Sequence, residues 1–134
     1  MIEQPIPIRS QNDVLIARQT GRELARSLGF RLADQTRLAT AISELTRNVI
    51  QYAGEGVCVV RNKSSASQSK IEVEVEDWGK GILNLDQAMT DGFSSGSGLG
   101  AGLPGTRRLM QEFRIETEPG HTKITIALVR PRLS

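Results

Sequence analysis

Residues 32–54 read LADQTRLATAISELTRNVIQYAG and carry the clearest periodicity in the chain. Apolar residues recur at helical spacing, at Leu38, Ile42, Leu45, Val49 and Tyr52. This spacing predicts an amphipathic helix from about Leu32 to Tyr52, ended by Ala53-Gly54. One side of the helix should therefore face a core, and its polar border is the first place to look for a site.

Two elements are predicted before this helix. The segment from Ile2 to Ile8 alternates apolar and polar residues but contains prolines, which cannot donate to a β-ladder, so it predicts an edge strand. From Asn12 onwards apolar residues recur at helical spacing. Asn12 or Asp13 is the expected cap of that helix, and Gly29 its expected end.

Four strands and a short helix are predicted after it. The strands run from Val57 to Arg61, Ile71 to Glu76, Phe113 to Glu118 and Thr122 to Val129. A serine-rich loop, residues 64–69, separates the first two strands, and Pro119-Gly120 separates the last two. A glycine-rich stretch from Gly92 to Gly105 leads into the helix, with Pro104 near its first turn. This order predicts one α+β domain over residues 1–134, with helices on one face of a mixed, mostly antiparallel sheet.

Composition removes several classes of function. One histidine and one cysteine cannot build a zinc site, and His121 lies in a predicted turn. The lone Cys58 excludes a disulfide framework and favours a reducing compartment, so we expect a cytoplasmic protein. We expect no membrane segment, because no apolar run is long enough. A net charge of +2, few aromatic residues and no basic stripe argue against nucleic-acid binding.

Glu44 and Asn48 lie one turn apart on the long helix, beside its apolar stripe. A solvated shoulder of the helix is the common explanation for such residues. A carboxylate and an amide oxygen at this spacing can also serve as a general base and a ligand of a hard cation such as Mg²⁺. The second explanation requires a nucleotide nearby.

Residues 71–77 read IEVEVED, and their alternation places the isoleucine and valines on a buried face and the glutamates on a wet one. Asp77 shares the parity of the buried set if the strand extends that far; otherwise Asp77 belongs to a turn. Gly79 and Gly81 follow it, and glycines let a backbone approach a flat ligand closely. The Asp77 carboxylate could then accept a hydrogen bond from the exocyclic amine of adenine.

Residues 96–105 read GSGLGAGLPG and end at the start of a predicted helix. Runs of backbone N–H groups and a helix N-terminus can hold phosphate, and the glycines suggest a lid. Gly100, Gly102 and Gly105 satisfy G-x-G-x-x-G, but no strand precedes them directly, so a Rossmann turn is rejected. The Gly-Lys-Ser/Thr ending of a Walker motif is absent, and no His-Arg-Asp loop supports an ordinary protein kinase.

The order of three motifs resembles the GHKL ATP-binding superfamily of gyrase, Hsp90, histidine kinases and MutL. The motifs are Glu44-x-x-x-Asn48, then Asp77-x-Gly79-x-Gly81, then a glycine-rich lid before a helix. The resemblance to this superfamily covers nearly the whole chain. Within it, AISELTRN at residues 41–48 and GLGAGLPG at residues 98–105 look most like the serine/threonine switch kinases of the RsbT type.

The resemblance implies a two-layer Bergerat-type sandwich that holds ATP and magnesium under the lid. Glu44 then corresponds to the general base, Asn48 to the magnesium ligand and Asp77 to the adenine-reading carboxylate. The glycines of the pocket and the lid, and the threonine that supports Asp77, correspond to Gly79, Gly81, Gly98, Gly100, Gly102, Gly105 and Thr122. Arg107 and Arg108 stay unassigned between phosphate neutralisation and a solvated helix face.

The same resemblance implies an ATP-dependent protein serine/threonine kinase that phosphorylates STAS-domain antagonist proteins in a bacterial stress or sigma-factor pathway. It also implies a second partner, a PP2C-type phosphatase. The main alternative is an anti-sigma factor of the same superfamily that sequesters a sigma subunit. An adapter that binds ATP without transferring phosphate, and a small ATP-hydrolysing machine, are further alternatives.

Overall fold

A computed structural model describes residues 4–79 and 102–132 of the chain. These ranges contain five strands and three helices. In chain order the elements are β1 (Ile6–Ile8), α1 (Gln11–Ser27), α2 (Leu32–Tyr52), β2 (Gly56–Asn62), β3 (Gln68–Asp77), α3 (Gly102–Leu109), β4 (Glu112–Glu118) and β5 (His121–Pro131). No helix in the described ranges is long and apolar enough to cross a membrane.

The strands form one sheet in the order β1-β2-β3-β5-β4. Each neighbouring pair is antiparallel, so within the described residues the sheet has no parallel pairing, where a mixed sheet was predicted. Among the described strands β1 pairs only with β2, and it contains Pro7, which agrees with the predicted edge strand. The α+β fold class predicted from the order of elements is confirmed.

The helices lie on one face of the sheet, and the core fills the space between the layers. α1 packs mainly on α2, while α2 also contacts α3 and the inner sheet face. The buried side chains of α2 and β3 include those predicted from periodicity, Leu38, Ile42, Leu45, Val49, Ile71, Val73 and Val75. Tyr52 is the exception in the predicted stripe: it is 52% exposed, because it ends the helix one turn beyond Val49.

Cys58 packs in β2, as predicted, and is fully buried. Burial raises the pKa of its thiol to about 12, because a thiolate would lose its hydration there. The side chain therefore behaves as a small apolar residue of the core.

The predicted cap of α1 was wrong by a few residues. Ser10 is the N-cap, and Asp13 is the third residue of the helix, where its carboxylate accepts hydrogen bonds from Arg9 N–H and Ser10 N–H at 2.8 and 3.1 Å. At the other end Gly29 has φ +81°, the left-handed conformation that follows many helices. The predicted glycine ending is therefore present.

The hairpin strands are longer than predicted. β3 begins at Gln68, inside the predicted serine-rich loop, and β5 begins at His121 and continues to Pro131. Polar residues at strand ends pair through their backbones without contributing to an apolar pattern. His121 is thus the first residue of β5 and not part of the turn, whose tight bend is made by Gly120 at φ +90°.

Candidate functional site

Four residues on four strands line up across one end of the sheet. Asp77 on β3 lies opposite Gly56 on β2 and opposite Thr122 on β5, and Thr122 lies opposite Thr117 on β4. Directly paired residues point to the same sheet face. Asp77 has the parity of buried Val75, so this row, Gly56-Asp77-Thr122-Thr117, belongs to the helix-facing side.

Asp77 is the only one of the four with an ionisable side chain, and it is the last residue of β3. Burial raises the pKa of the Asp77 carboxyl, while the hydrogen bond from Gly79 N–H and the charge of His121 pull that pKa lower. The Gly79 N–H donates to Asp77 Oδ1 at 3.0 Å. A partly desolvated carboxylate with accepting capacity to spare is suited to a donor on a ligand.

Two glycines bring the end of α2 close to this row. A Cβ on Gly79 would lie 2.7 Å from Ala53 Cβ, and one on Gly56 would lie 2.7 Å from Val49 Cγ1 and 2.4 Å from Glu76 O. Neither position has room for a larger residue. Gly79 was singled out from sequence as shaping a ligand pocket; the structure shows that Gly79 also allows the chain after β3 to approach α2.

We expect Gly79→Ala to lower the free energy of unfolding by about 1–3 kcal/mol, because the new methyl group overlaps Ala53. Thermal unfolding followed by circular dichroism measures the change. The double variant Gly79→Ala/Ala53→Gly should regain part of the loss, since it removes one of the two overlapping methyl groups. A single variant as stable as the wild type would show that this contact is loose.

Glu44 and Asn48 lie on α2 at the border of the core. Both are partly buried, with 17% of the Glu44 side chain exposed, and Arg47 Nη1 lies 3.9 Å from Glu44 Oε2. At 1.5 Å per residue, Asn48 is about 7–8 Å and Glu44 about 13–14 Å along the helix axis from Ala53. Because Ala53 touches Gly79, one helix spans the distance from the Asp77 row to Glu44.

Three of the predicted glycines lie outside the described residues, namely Gly81 of the predicted pocket and Gly98 and Gly100 of the predicted lid. Gly102 begins α3 and Gly105 is buried within it, so these two glycines belong to a helix. α3 packs on α2 and buries Leu103 and Thr106. The side chains of Arg107 and Arg108 are exposed.

Few side-chain ligands for a cation come together in the described part of the chain. No group of three or more His, Cys, Asp or Glu side chains in residues 4–79 and 102–132 could hold a metal ion by itself. Mg²⁺ is commonly held by one or two protein oxygens together with substrate phosphates and water. The amide oxygen of Asn48 fits that mode, in which most ligands come from the nucleotide.

Sequence reasoning missed two residues of the row, Gly56 and Thr117. Thr117 could have been found from the turn, because Glu118 and His121 pair across Pro119-Gly120 and the next pair must be Thr117 and Thr122. Gly56 gave no such signal, since its importance comes from the packing of α2 on β2.

Residues 33–132 match the family described as Histidine kinase-, DNA gyrase B-, and HSP90-like ATPase. The chain is 44% identical over 115 residues to serine/threonine-protein kinase RsbT of Bacillus subtilis, covering 86% of each protein. It is 30% identical over 124 residues to anti-sigma F factor of a Thermoanaerobacter species, covering 90% of this chain and 86% of that protein.

Solved structures share the fold at lower identity. The RsbU and RsbW domains of a Mycobacterium tuberculosis protein align with a TM-score of 0.62 at 20% identity, over 96% of this chain and 33% of that chain. The SiaB-SiaC complex from Pseudomonas aeruginosa aligns with a TM-score of 0.61 at 12% identity, over 97% of this chain and 90% of that chain.

Proposed function

Since this chain belongs to the Histidine kinase-, DNA gyrase B-, and HSP90-like ATPase family, we propose that it is a switch kinase that transfers phosphate from ATP to a serine or threonine of a partner protein. One observation carries the proposal. Ala53, at the end of α2, touches Gly79 in the turn beside Asp77. The helix that carries Glu44 and Asn48 therefore ends next to Asp77, the residue suited to bind a base.

The base of the nucleotide belongs at the Asp77 end. The half-buried carboxylate accepts a hydrogen bond from the exocyclic amine of adenine, and Thr122, its neighbour on β5, supports it. Gly56 and Gly79 leave no side chain of their own beside Asp77. The residues present therefore fit a flat, amine-bearing ring.

The phosphates belong further along α2, towards Glu44. Asn48 would hold Mg²⁺, which supplies positive charge to the phosphate oxygens. Glu44 accepts the proton of the substrate hydroxyl as its oxygen forms the new bond to the terminal phosphorus. The bond from that phosphorus to the bridging oxygen breaks, and ADP leaves.

The lid belongs to the phosphate side as well. Gly102 and Gly105 lie in the first half of α3, and Gly98 and Gly100 complete the proposed lid, while Gly81 belongs with Gly79 to the proposed adenine pocket. Backbone N–H groups before and at the start of this helix would hold phosphate oxygens. Positioning and charge neutralisation are most of what phosphoryl transfer requires from a protein.

The proposed substrates are STAS-domain antagonist or scaffold proteins in the cytoplasm, and the proposed second partner is a PP2C-type phosphatase. The 44% identity to RsbT supports this reading of the chain as a switch kinase. The second candidate function is sequestration of a sigma factor, and it is favoured by the 30% identity to anti-sigma F factor.

Incubation with γ-labelled ATP, Mg²⁺ and the STAS-domain proteins of the same genome tests the kinase proposal. We expect label on a serine or threonine of one of those proteins, and none on the same protein with that residue changed to alanine. Retention of a sigma factor on the immobilised chain, with no label on any STAS-domain protein, would favour the second candidate instead.

A further inference from the structure

We propose that Thr117 is a positioning residue that fixes the direction of the Thr122 hydroxyl and so sets the preference for adenine over guanine. The inference rests on the proposed nucleotide site, to which it adds a determinant of base specificity. Thr117 lies on β4 in the β4–β5 hairpin, outside the motifs that contain Glu44, Asp77 and the lid glycines.

The geometry joins the two hydroxyls directly. Thr117 Oγ1 and Thr122 Oγ1 are 2.7 Å apart, a hydrogen bond in which either oxygen can donate. Thr122 is only 5% exposed and pairs on its other side with Asp77. Thr122 therefore lies between a hydroxyl on β4 and a carboxylate on β3.

The direction of this hydrogen bond determines what Thr122 offers to a ligand. A hydroxyl has one proton, so if Thr122 donated to Thr117 it would present only lone pairs elsewhere. If Thr117 donates, the Thr122 proton points towards β3, where the negative charge of Asp77 favours it. Without nucleotide this proton faces the Asp77 carboxylate. When that carboxylate accepts a hydrogen bond from the amine of a base, the same proton can be donated to the ring nitrogen beside the amine, so Asp77 is the acceptor and Thr122 the donor towards the base.

An acceptor beside a donor matches one purine and opposes the other. Adenine has an amino group next to an unprotonated ring nitrogen, a donor beside an acceptor. Guanine has a carbonyl oxygen next to a protonated ring nitrogen, which is the reverse order. A Thr122 hydroxyl freed from Thr117 can rotate and accept a hydrogen bond, which removes part of the penalty against guanine.

Calorimetric titration of Mg-ATP and Mg-GTP into the wild type and two variants tests this. We expect Thr117→Val to lower the ratio of ATP to GTP affinity by about tenfold, the value of one neutral hydrogen bond. Thr117→Ser restores the hydroxyl and should restore the ratio. Thr125→Val removes a buried hydroxyl from the opposite face of the same sheet and should leave the ratio unchanged.

An unchanged ratio in Thr117→Val would overturn the inference, as would an equal fall in Thr125→Val or a failure of Thr117→Ser to restore selectivity. These results would leave the proposed ATP site intact. A folded wild type that binds neither nucleotide would overturn both proposals together.

Discussion

Replacing Glu44 by glutamine will lower the rate of phosphoryl transfer by roughly 100- to 10,000-fold and leave ATP affinity nearly unchanged. Glutamine keeps the shape of the side chain and its place at the core border but cannot accept the proton of the substrate hydroxyl. The lost contact with Arg47 at 3.9 Å is a weak ion pair and adds little. Single-turnover transfer to the substrate protein and calorimetry with ATP measure the two quantities.

Glu23→Gln is the matched control for this variant. Glu23 is an exposed helix residue on α1, hydrogen-bonded to Gln19, so the same chemical change there should alter neither quantity. If Glu44→Gln transferred phosphate at the wild-type rate, the general-base role would belong to another group or to none.

Replacing Asp77 by asparagine will weaken ATP binding by roughly 10- to 100-fold, the value of a hydrogen bond to a charged group. The amide keeps an oxygen that can accept from Gly79 N–H, so the turn after β3 is preserved. Asparagine lacks the negative charge that favours the donor on the base. Calorimetric titration with Mg-ATP gives the affinity.

The same substitution should stabilise the protein without nucleotide. Burial raises the pKa of Asp77, so between its ordinary pKa and the raised one the folded protein binds more protons here than the unfolded chain. The free energy of unfolding therefore falls as pH rises through that interval. We expect Asp77→Asn to have a higher Tm than the wild type at neutral pH, and the difference to vanish below about pH 4.

Glu74→Gln is the control, because Glu74 lies on the same strand but on the opposite face, paired with Arg61. It should bind ATP like the wild type. If Asp77→Asn bound ATP with the wild-type affinity, the base would not be bound by Asp77. A lower Tm at neutral pH would show that the charge of Asp77 stabilises the fold.

The periodicity of apolar residues was sufficient to predict the elements that bury one face. α2 runs from Leu32 to Tyr52 as predicted, because a helix on a sheet must repeat its apolar residues every three to four positions. Strand ends such as Gln68 and Pro131 were missed, since their pairing is made by the backbone. The placement of β5 between β3 and β4 was not predictable either, because alternation shows which face is buried but not which strands pair.

The candidate site was partly predictable for a related reason. Residues such as Asp77 and Thr122 share the parity of buried neighbours, and parity can be read from the chain. Gly79 and Ala53 are in contact although they are 26 residues apart in the sequence (79 minus 53). No local sequence pattern encodes this contact. Its detection required the packing of α2 against the end of β3.

Nuclear magnetic resonance of the ATP complex with Mn²⁺ in place of Mg²⁺ locates the phosphates and their ion directly. Mn²⁺ accepts the same oxygen ligands and broadens the signals of nearby nuclei. We expect the signals of Asn48 and its neighbours on α2 to disappear, and those of Arg114, exposed on β4, to persist. Persistence of the Asn48 signals in a saturated complex would contradict the account.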